Sequence, residues 1–332
     1  MKAFSIRSLL AGIVMTVTAS AQAATTLTLS TPDPDGAEIT LAANKFAELV
    51  AAKTNGAVTV KVFPNGTLYG GDPSAAVKQL AGGSLDMLVL ATSLYANFNP
   101  KFSAISIPYL FNDEAQLRAY LAGEQGQELI ADLNKINISA LSLWTRPFRQ
   151  MTNSKRPITK PEDLAGLKFR VPNNPLWVEF FKKMGAAPTP MAFAEVYNAL
   201  QLKVVDGQEN PVSVPLAAKF NEVQGFLSIT NHMADAWVLG INPAKFNALG
   251  DAEKKAIREA AKEAETWKAD NDAASGEDII KKLESLGMKV NRLTPEQQAA
   301  FVAVAKGLFP TFAGLVKDQA FFDKSIAFVG KK

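Results

Sequence analysis

The feature that most limits the architecture of this chain is a long helical pattern in its C-terminal third. Residues 251–286 contain no proline and one internal glycine, Gly276, and they are dominated by Lys, Glu and Ala, which favour helices. A single helix over this range would extend about 50 Å, which exceeds the diameter of one small domain. The alternative is two ordinary helices that break at Gly276, and these residues alone do not distinguish the two.

Between residue 24 and this segment, strand patterns alternate with helix patterns. The strands show period-two alternation or short β-branched runs, and the helices carry apolar residues three or four positions apart. The predicted strands cover residues 26–30, 57–63, 85–90, 138–144, 149–151, 167–171 and 223–229, and the predicted helices cover residues 39–53, 74–80, 113–133, 175–184 and 193–202. This order predicts an α/β fold with twisted, mostly parallel sheets covered by helices.

The first 23 residues have the pattern of an export signal. Lys2 and Arg7 form a basic leader, an apolar run covers residues 8–18, and Ala21-Gln22-Ala23 supplies the small residues that signal peptidase accepts. We expect cleavage near Ala23 and export to a bacterial periplasm. An uncleaved anchor is the alternative, but the run is shorter than the roughly 20 residues that span a bilayer, and no stop-transfer pattern follows.

Composition excludes several kinds of chemistry. The 332 residues include no cysteine and one histidine, His232, so thiol nucleophiles, disulfides, iron–sulfur clusters and multi-histidine metal sites are excluded. No nucleophile elbow or phosphate-binding loop is present. We therefore expect no catalytic residue, no cofactor and no metal, and we interpret His232 as structural. Without Lys2 and Arg7 the net charge falls from +3 to +1, which gives no attraction to nucleic acid.

Residues suited to ligand binding concentrate in the middle of the chain. Three segments stand at the ends of predicted elements, where α/β sheets present ligand-binding groups: WTRPFR (144–149), GLKFRVPN (166–173) and DGQENP (206–211). Arg170 follows an apolar strand residue and precedes Pro172. A guanidinium held there suits a carboxylate, because its parallel N–H donors match the two oxygens. Arg149 and Asn210 in the other segments strengthen this interpretation.

These segments also carry a family resemblance. The runs DLAGLKFRVPNN, MGAAPTPMAFAEVYNALQ and VVDGQENP closely resemble the solute-binding subunit of tripartite ATP-independent periplasmic (TRAP) transporters, and the resemblance covers essentially the whole mature chain. It implies that Arg170 pairs with the ligand carboxylate, that Asn210 hydrogen-bonds it, that Arg149 adds a second cation and that Phe193 lies against the ligand. It also implies an α/β, two-lobed periplasmic binding protein fold, with a ligand cleft between the lobes and a long helix spanning both.

The resemblance further predicts the domain organisation and the partners. Lobe I is expected to comprise residues 24–146 plus about 236–275, and lobe II residues 147–235 plus about 276–332. The expected partners are a small organic-acid ligand and the TRAP membrane permease subunits, with no nucleic acid, and we expect a monomer. The chain departs from the family pattern in one turn, where Leu202 and Lys203 replace an expected glycine.

Residues that would select the ligand are expected in two loops. The loop over residues 31–38 carries Asp33, Asp35 and Glu38, which would accept hydrogen bonds from ligand hydroxyls and repel a second ligand carboxylate. Alternatively, Asp33 caps a proline turn and Asp35 or Glu38 serves the helix start. Thr92 and Ser93 follow the strand at 85–90 and offer hydroxyls. Trp237 and Trp144 offer apolar walls, although we expect one of them in the core. The candidate ligand-binding residues are therefore Arg170, Arg149, Asn210, Phe193, Asn173, Glu38, Asp35, Thr92, Ser93 and Trp237.

Together these patterns predict a periplasmic receptor for a small organic acid. The expected ligand is a hydroxylated monocarboxylate, such as a uronic or aldonic sugar acid, which the receptor delivers to the membrane permease. A receptor for a four-carbon dicarboxylate or another organic acid is the alternative within this class. Outside it, the alternatives are an exported enzyme that acts on an organic acid and a binding protein that serves only a sensor.

Overall fold

The computed structural model describes residues 24–330, so the predicted export signal lies outside the described residues. Strands and helices alternate along the described chain, as the sequence pattern predicts. The strands are β1 (Thr25–Ser30), β2 (Val58–Phe63), β3 (Met87–Ala91), β4 (Ser139–Asn153), β5 (Lys168–Val171), β6 (Ala187–Pro190), β7 (Gly207–Asn210), β8 (Phe226–Ile241) and β9 (Lys289–Arg292).

The helices include one that is much longer than the others. They are α1 (Glu38–Lys53), α2 (Pro73–Gly82), α3 (Thr92–Tyr95), α4 (Glu114–Ala122), α5 (Glu124–Lys135), α6 (Pro175–Lys183), α7 (Val196–Gln201), α8 (Ser213–Ala217), α9 (Pro243–Asn247), α10 (Asp251–Ser285), α11 (Pro295–Gly307), α12 (Phe309–Val316) and α13 (Gln319–Phe328). Short 3-10 turns cover Thr67–Tyr69, Pro100–Ser106, Pro161–Leu164, Phe193–Glu195 and Phe220–Glu222. Among residues 24–330 no single helix is long and apolar enough to cross a bilayer; α11 and α12 together reach that length and apolarity, with a 54° bend between them.

The nine strands of the described residues form one mixed sheet. Their order is β2-β1-β3-β8-β4-β7-β5-β6, and β9 pairs with β8. The outer strands pair in parallel, β1 with β2 and β3, and β5 with β6 and β7, whereas the central pairs β3–β8, β8–β4 and β4–β7 are antiparallel. The prediction of mostly parallel sheets is therefore correct for the flanks and wrong for the centre.

Two long strands connect the two halves of this sheet. β4 has 15 residues and β8 has 16. β4 therefore joins the two strands predicted over residues 138–144 and 149–151, and β8 continues to Ile241, 12 residues beyond the strand predicted to end at Ile229. The β4–β8 ladder shifts register between Arg146 and Arg149. Pro147 therefore falls where the ladder is already interrupted, and its missing N–H costs little.

The segment that the sequence left ambiguous is one unbroken helix. α10 runs over 35 residues, or about 50 Å, and contacts α1 and β4 as well as α8 and β9. Gly276 lies inside it, with nothing within 4 Å of the position that a Cβ would occupy. A solvent-facing glycine costs a helix about 1 kcal/mol relative to alanine, which α10 tolerates without breaking.

Helices bury both faces of the sheet. One core joins α1 and α10 to β1 and β3 and includes Phe46, Trp144 and Ile257, whereas Phe180 belongs to a larger core that includes residues of α4 to α6 and α11 to α13. The Trp144 ring meets Phe46 edge to face at 6.5 Å, and its Nε1 donates to the carbonyl of Ala261 at 3.1 Å. Trp144 is therefore a core residue.

The turn that departs from the family pattern keeps a glycine-like backbone. Lys203, between α7 and β7, has a φ of 58°, a left-handed conformation that costs a non-glycine residue roughly 1–2 kcal/mol. Its neighbours Leu202 and Val204 are exposed. A lysine at this left-handed position is therefore more costly than the glycine that the family pattern predicts.

A buried cluster of charges joins α1, α8 and α10. Lys268 of α10 is 1% exposed and forms an ion pair with Asp272, and its Nζ lies 3.9 Å from Oε1 of Glu38. Ser213 donates to Oε2 of Glu38 at 2.6 Å. Burial raises the pKa of Asp272 to about 7; Glu38 adds to the rise and Lys268 opposes it. One lysine therefore compensates two buried carboxyl groups that come from different helices.

We expect Lys268→Met to destabilise the protein by about 3–5 kcal/mol at pH 8, because removing one member of a buried ion pair leaves the other charges uncompensated. The methionine keeps most of the side-chain volume, so the loss measures charge. The loss should shrink toward pH 5, where Asp272 takes up a proton. Urea unfolding followed by tryptophan fluorescence, at pH 8 and at pH 5, measures the free energy of unfolding that the variant loses at each pH.

The control is Lys255→Met on the same helix. The Lys255 side chain is exposed, and its Nζ lies 3.9 Å from Oε1 of Glu259. An exposed pair of this kind contributes less than about 1 kcal/mol. Equal losses for the two variants would contradict a structural role for the buried cluster.

Candidate functional site

The principal candidate site is a cavity of about 240 Å³ at the centre of the sheet. Its walls come from the loop after β1, the segment 65–74, the end of β3 and the start of α3, the middle of β4 and β8, β5 with the loop that follows, the loop after β6, and the end of β7. Both halves of the sheet therefore contribute side chains to one cavity.

Most of the predicted ligand-binding residues meet in this cavity. The seven that line it are Arg170, Arg149, Asn210, Phe193, Asn173, Ser93 and Trp237. Glu38, Asp35 and Thr92 are not among its lining residues. Position at the end of a strand therefore predicted cavity-lining residues well in the middle of the chain, and less well in the loops after β1 and β3.

Arg170 is a buried cation without a carboxylate partner. It is 4% exposed, and its Nε and a terminal nitrogen donate to the carbonyl of Met191 at 3.2 and 2.8 Å. Among residues 24–330 it forms no ion pair with Asp or Glu. Burial lowers the pKa of Arg170 to about 9, and Glu209 partly opposes that effect. The group is charged at neutral pH, and a carboxylate entering the cavity would compensate it.

Arg149, by contrast, is already paired inside the protein. Its guanidinium forms an ion pair with Oε2 of Glu209 and donates to Oε1 of the same residue at 2.7 Å. Burial alone would raise the pKa of Glu209, but Arg149 and His232 outweigh it and hold that pKa at about 2. The His232 ring is fully buried, with Nε2 3.2 Å from Glu209 and Nδ1 2.8 Å from the Thr230 hydroxyl. A neutral imidazole protonated on Nε2 satisfies both contacts.

Asn210 links Arg149 to a second arginine, Arg146, that was not predicted as a site residue. The Asn210 side-chain oxygen accepts from both guanidinium groups at 3.0 Å, and its amide nitrogen donates to Gln208 at 2.7 Å. In a regular strand residues three apart face opposite sides, and the register shift in β4 brings Arg146 and Arg149 to the same cavity. The sequence signal for Arg146 was its place in the WTRPFR segment.

Thr92 and Ser93 hold a second buried acid, Asp235. Their hydroxyls each donate to the Asp235 carboxylate at 2.7 Å, and Arg146 approaches it at 3.6 Å. Ser93 still lines the cavity, but Thr92 does not. The Thr92 hydroxyl therefore positions Asp235, and the expectation that it faces the ligand is not met by this geometry.

Trp237 forms one wall of the cavity. Arg146 lies over its ring at 4.1 Å, a cation–π contact. The buried indole Nε1 has no hydrogen-bond partner among the described residues, so it is available as a donor. Trp237 is itself 1% exposed and belongs to the same core as Trp144, but only Trp237 of the two lines the cavity.

The acidic loop after β1 differs from the prediction. Asp35 is exposed. Glu38 is the first residue of α1, and its side chain lies in the buried charge cluster with Lys268. Neither residue lines the cavity. The backbone geometry of a loop decides which of three neighbouring acids points inward, and residue type alone does not carry that information.

The acid of this loop that lines the cavity is Asp33. It is 3% exposed, and no described residue donates a hydrogen bond to its Oδ2, so it does not cap the proline turn as the alternative prediction had it. Burial raises the pKa of Asp33 to about 6; Arg146 opposes the rise and Glu38 adds to it. The sequence analysis named Asp33 with the other two acids of its loop but did not keep it among the candidate ligand-binding residues.

Comparison with known proteins identifies the family. The model for bacterial extracellular solute-binding proteins, family 7, matches residues 29–314. The chain belongs to this family. Its members are the solute-binding receptors of TRAP transporters, which work with membrane permease subunits, so the predicted family is confirmed and an exported enzyme has no support. In residues 24–330 no group of three or more His, Asp or Glu side chains could hold a metal ion.

Individual family 7 receptors are similar over most of the chain. The 2,3-diketo-L-gulonate-binding periplasmic protein of Escherichia coli is 36% identical over 75% of this chain and 76% of its own. A sugar acid-binding protein of Advenella mimigardefordensis in complex with galactonate has a TM-score of 0.88 and 29% identity, over 93% of this chain and 98% of its own. A TRAP receptor of Sulfurospirillum deleyianum with bound succinate has a TM-score of 0.85 and 32% identity, over 91% and 98%. The predicted two-lobed fold is confirmed.

We expect Asp33→Asn to stabilise the ligand-free family 7 receptor at pH 7.5 by up to about 3 kcal/mol. A carboxyl group with a raised pKa in the folded state stabilises the fold while it is protonated, and this contribution is lost as the pH rises from about 4 through about 6. The asparagine side chain does not ionise, so the variant does not lose this stability as the pH rises. The gain in free energy of unfolding over the wild type should therefore be large at pH 7.5 and small at pH 4. Urea unfolding at the two pH values measures it, and an equal gain at both would contradict the burial argument.

Proposed function

We propose that this TRAP receptor captures a small hydroxylated monocarboxylate, such as a uronic or aldonic sugar acid, and delivers it to the membrane permease. The observation that supports this most directly is the buried, uncompensated charge of Arg170. An ion without a partner is costly inside a protein, and a ligand carboxylate is the group that removes this cost with two parallel hydrogen bonds. Asn210, Phe193, Asn173, Ser93 and Trp237 would complete the site.

The pairing of charges around the cavity favours one ligand carboxylate rather than two, and the buried acid Asp33 in the same lining adds to this preference. Arg149 is compensated by Glu209, and Arg146 by Asp235 and the side-chain oxygen of Asn210. Only Arg170 among these three arginines lacks a carboxylate partner within the described residues. In this proposal Arg149 therefore holds Asn210 in place and adds positive potential, and does not itself pair with the ligand.

The comparisons support an organic acid and leave its exact kind to experiment. One relative is named for 2,3-diketo-L-gulonate, and one similar structure holds galactonate. The second candidate is a receptor for a four-carbon dicarboxylate, which the similar succinate complex favours. The charge balance described above favours the first.

Capture would proceed by closure of the two lobes around the ligand. We propose that lobe I comprises residues 24–146 plus about 236–275 and lobe II residues 147–235 plus about 276–332. Arg170 then belongs to one lobe and Ser93 and Trp237 to the other, so a ligand that contacts both favours the closed form. The receptor would act as a monomer in the periplasm after cleavage near Ala23.

We expect Arg170→Ala to lower the affinity for the best sugar acid by at least about 100-fold, because it removes the arginine that has no carboxylate partner among the described residues of the site. Thermal shift against a panel of organic acids measures this, since a ligand at 100 times its Kd adds about 2.7 kcal/mol of stability. Lys168→Ala, an exposed residue on the same strand, is the control and should respond like the wild type.

Two results would contradict the proposal. An unchanged response of Arg170→Ala would remove the carboxylate-binding role of that residue. Strong stabilisation of the wild type by succinate or malate, with none by any sugar acid, would replace the first ligand class by the second. Mass spectrometry of the ligand that co-purifies from the periplasm identifies the compound directly.

A further inference from the structure

We propose that Asp33 selects the chemical class of the ligand: it accepts a hydrogen bond from a ligand hydroxyl and excludes acids that carry a second carboxylate. This inference rests on the proposed function, since it presupposes an organic acid whose first carboxylate pairs with Arg170. It assigns ligand selection to one residue of the acidic loop and removes Asp35 and Glu38 from that role.

The backbone holds Asp33 in a fixed position. Its backbone carbonyl oxygen accepts hydrogen bonds from the Thr40 hydroxyl at 3.1 Å and from the backbone N–H of Asn65 at 3.0 Å. Pro32 and Pro34 flank it and restrict the backbone on both sides. The side chain is therefore presented to the cavity by a rigid loop, and a partner must come to it.

The protein supplies no donor to Oδ2 of Asp33 within the described residues. Three cations act on Asp33 through their charge: Arg146 contacts Asp235 and Asn210, Arg149 pairs with Glu209, and Arg170 donates to the carbonyl of Met191. None of them donates a hydrogen bond to Oδ2 of Asp33. A buried acceptor without a donor is unfavourable, and an ionised carboxylate can only accept. A ligand hydroxyl satisfies that requirement, which a carboxylate at the same point does not.

A second ligand carboxylate near Asp33 would place two negative groups together in a small cavity. Two carboxylates that share a buried site cannot both stay ionised, so one must take up a proton or the ligand is rejected. Asp72, the other acid of the lining, is exposed and caps α2 through the Ser74 amide at 2.8 Å. Asp33 is therefore the acid of the cavity that can discriminate.

Two pairs of acids that differ only at one end test this inference by isothermal titration calorimetry at pH 7.5. Galactonate and galactarate share their hydroxyl configuration and differ by a terminal CH2OH or carboxylate, and 4-hydroxybutanoate and succinate differ in the same way on a four-carbon chain. The proteins are the wild type, Asp33→Asn, Arg170→Ala and the control Asp35→Asn, which changes an exposed carboxylate of the same loop outside the cavity.

We expect the wild type to bind the monoacid of at least one pair about 100-fold more tightly than its diacid, because like charges brought together in a site oppose binding. Asp33→Asn should bind that monoacid about 10-fold or more weakly, through loss of a charged hydrogen bond. The same variant should gain affinity for the diacid, so that the ratio falls below about 10. Asp35→Asn should keep the wild-type ratio.

Two results would overturn the inference and leave the carboxylate-binding role of Arg170 intact. They are wild-type binding of a diacid as tight as that of its monoacid, and an unchanged ratio in Asp33→Asn, each with Arg170→Ala impaired for both members of the pair. Absence of binding by all four acids, or equal binding by Arg170→Ala and the wild type, would instead contradict the proposed function itself.

Discussion

The structure of the site depends on the compensation of three guanidinium groups that are buried around one cavity. Arg146 and Arg149 each have a carboxylate within the protein, in Asp235 and Glu209, and these acids are in turn held by hydroxyl groups and by a histidine ring. Buried charges are costly unless they are paired and hydrogen-bonded, and both arginines have such partners, although Nε of Arg146 has none among the described residues. Arg170 lacks a carboxylate partner of this kind among the described residues, and in the proposed function the ligand carboxylate would take that place.

The two central strands make this arrangement possible. β4 carries both Arg146 and Arg149, and the shift of register between them turns the two side chains to one side. β8 carries Asp235, which pairs with Arg146, and His232, which contacts Glu209, the partner of Arg149. Because both strands run through the two halves of the sheet, the same segments that join the halves also hold the charges, and a displacement of either strand would disturb the cavity.

The sequence predicted the fold better than it predicted the site. The family resemblance implied that α10 is one helix, which the residues alone left open, and several predicted strands and helices lie within a few residues of their observed bounds. The sequence analysis did not predict β6, β7, β9 or α11 to α13. The errors have local causes. Pro147 in β4 and the polar residues His232 and Asp235 in β8 are unusual within long strands, and here a bulge and a buried network tolerate them. Likewise Asp33, Asp35 and Glu38 are equivalent in type, and only the backbone path decides which one faces inward.

The same groups that make the cavity unfavourable when empty make ligand binding favourable. Arg170 lacks an anion, and Asp33 and the Trp237 indole lack a donor and an acceptor, respectively, within the described residues. Each such group lowers the stability of the protein without ligand. In the proposed function, a ligand that offers a carboxylate and a hydroxyl at the right separation would satisfy several of them at once, in the conformation that brings both lobes to it. Because a ligand shifts a conformational equilibrium by its differential affinity alone, these groups would then favour closure as well as selectivity.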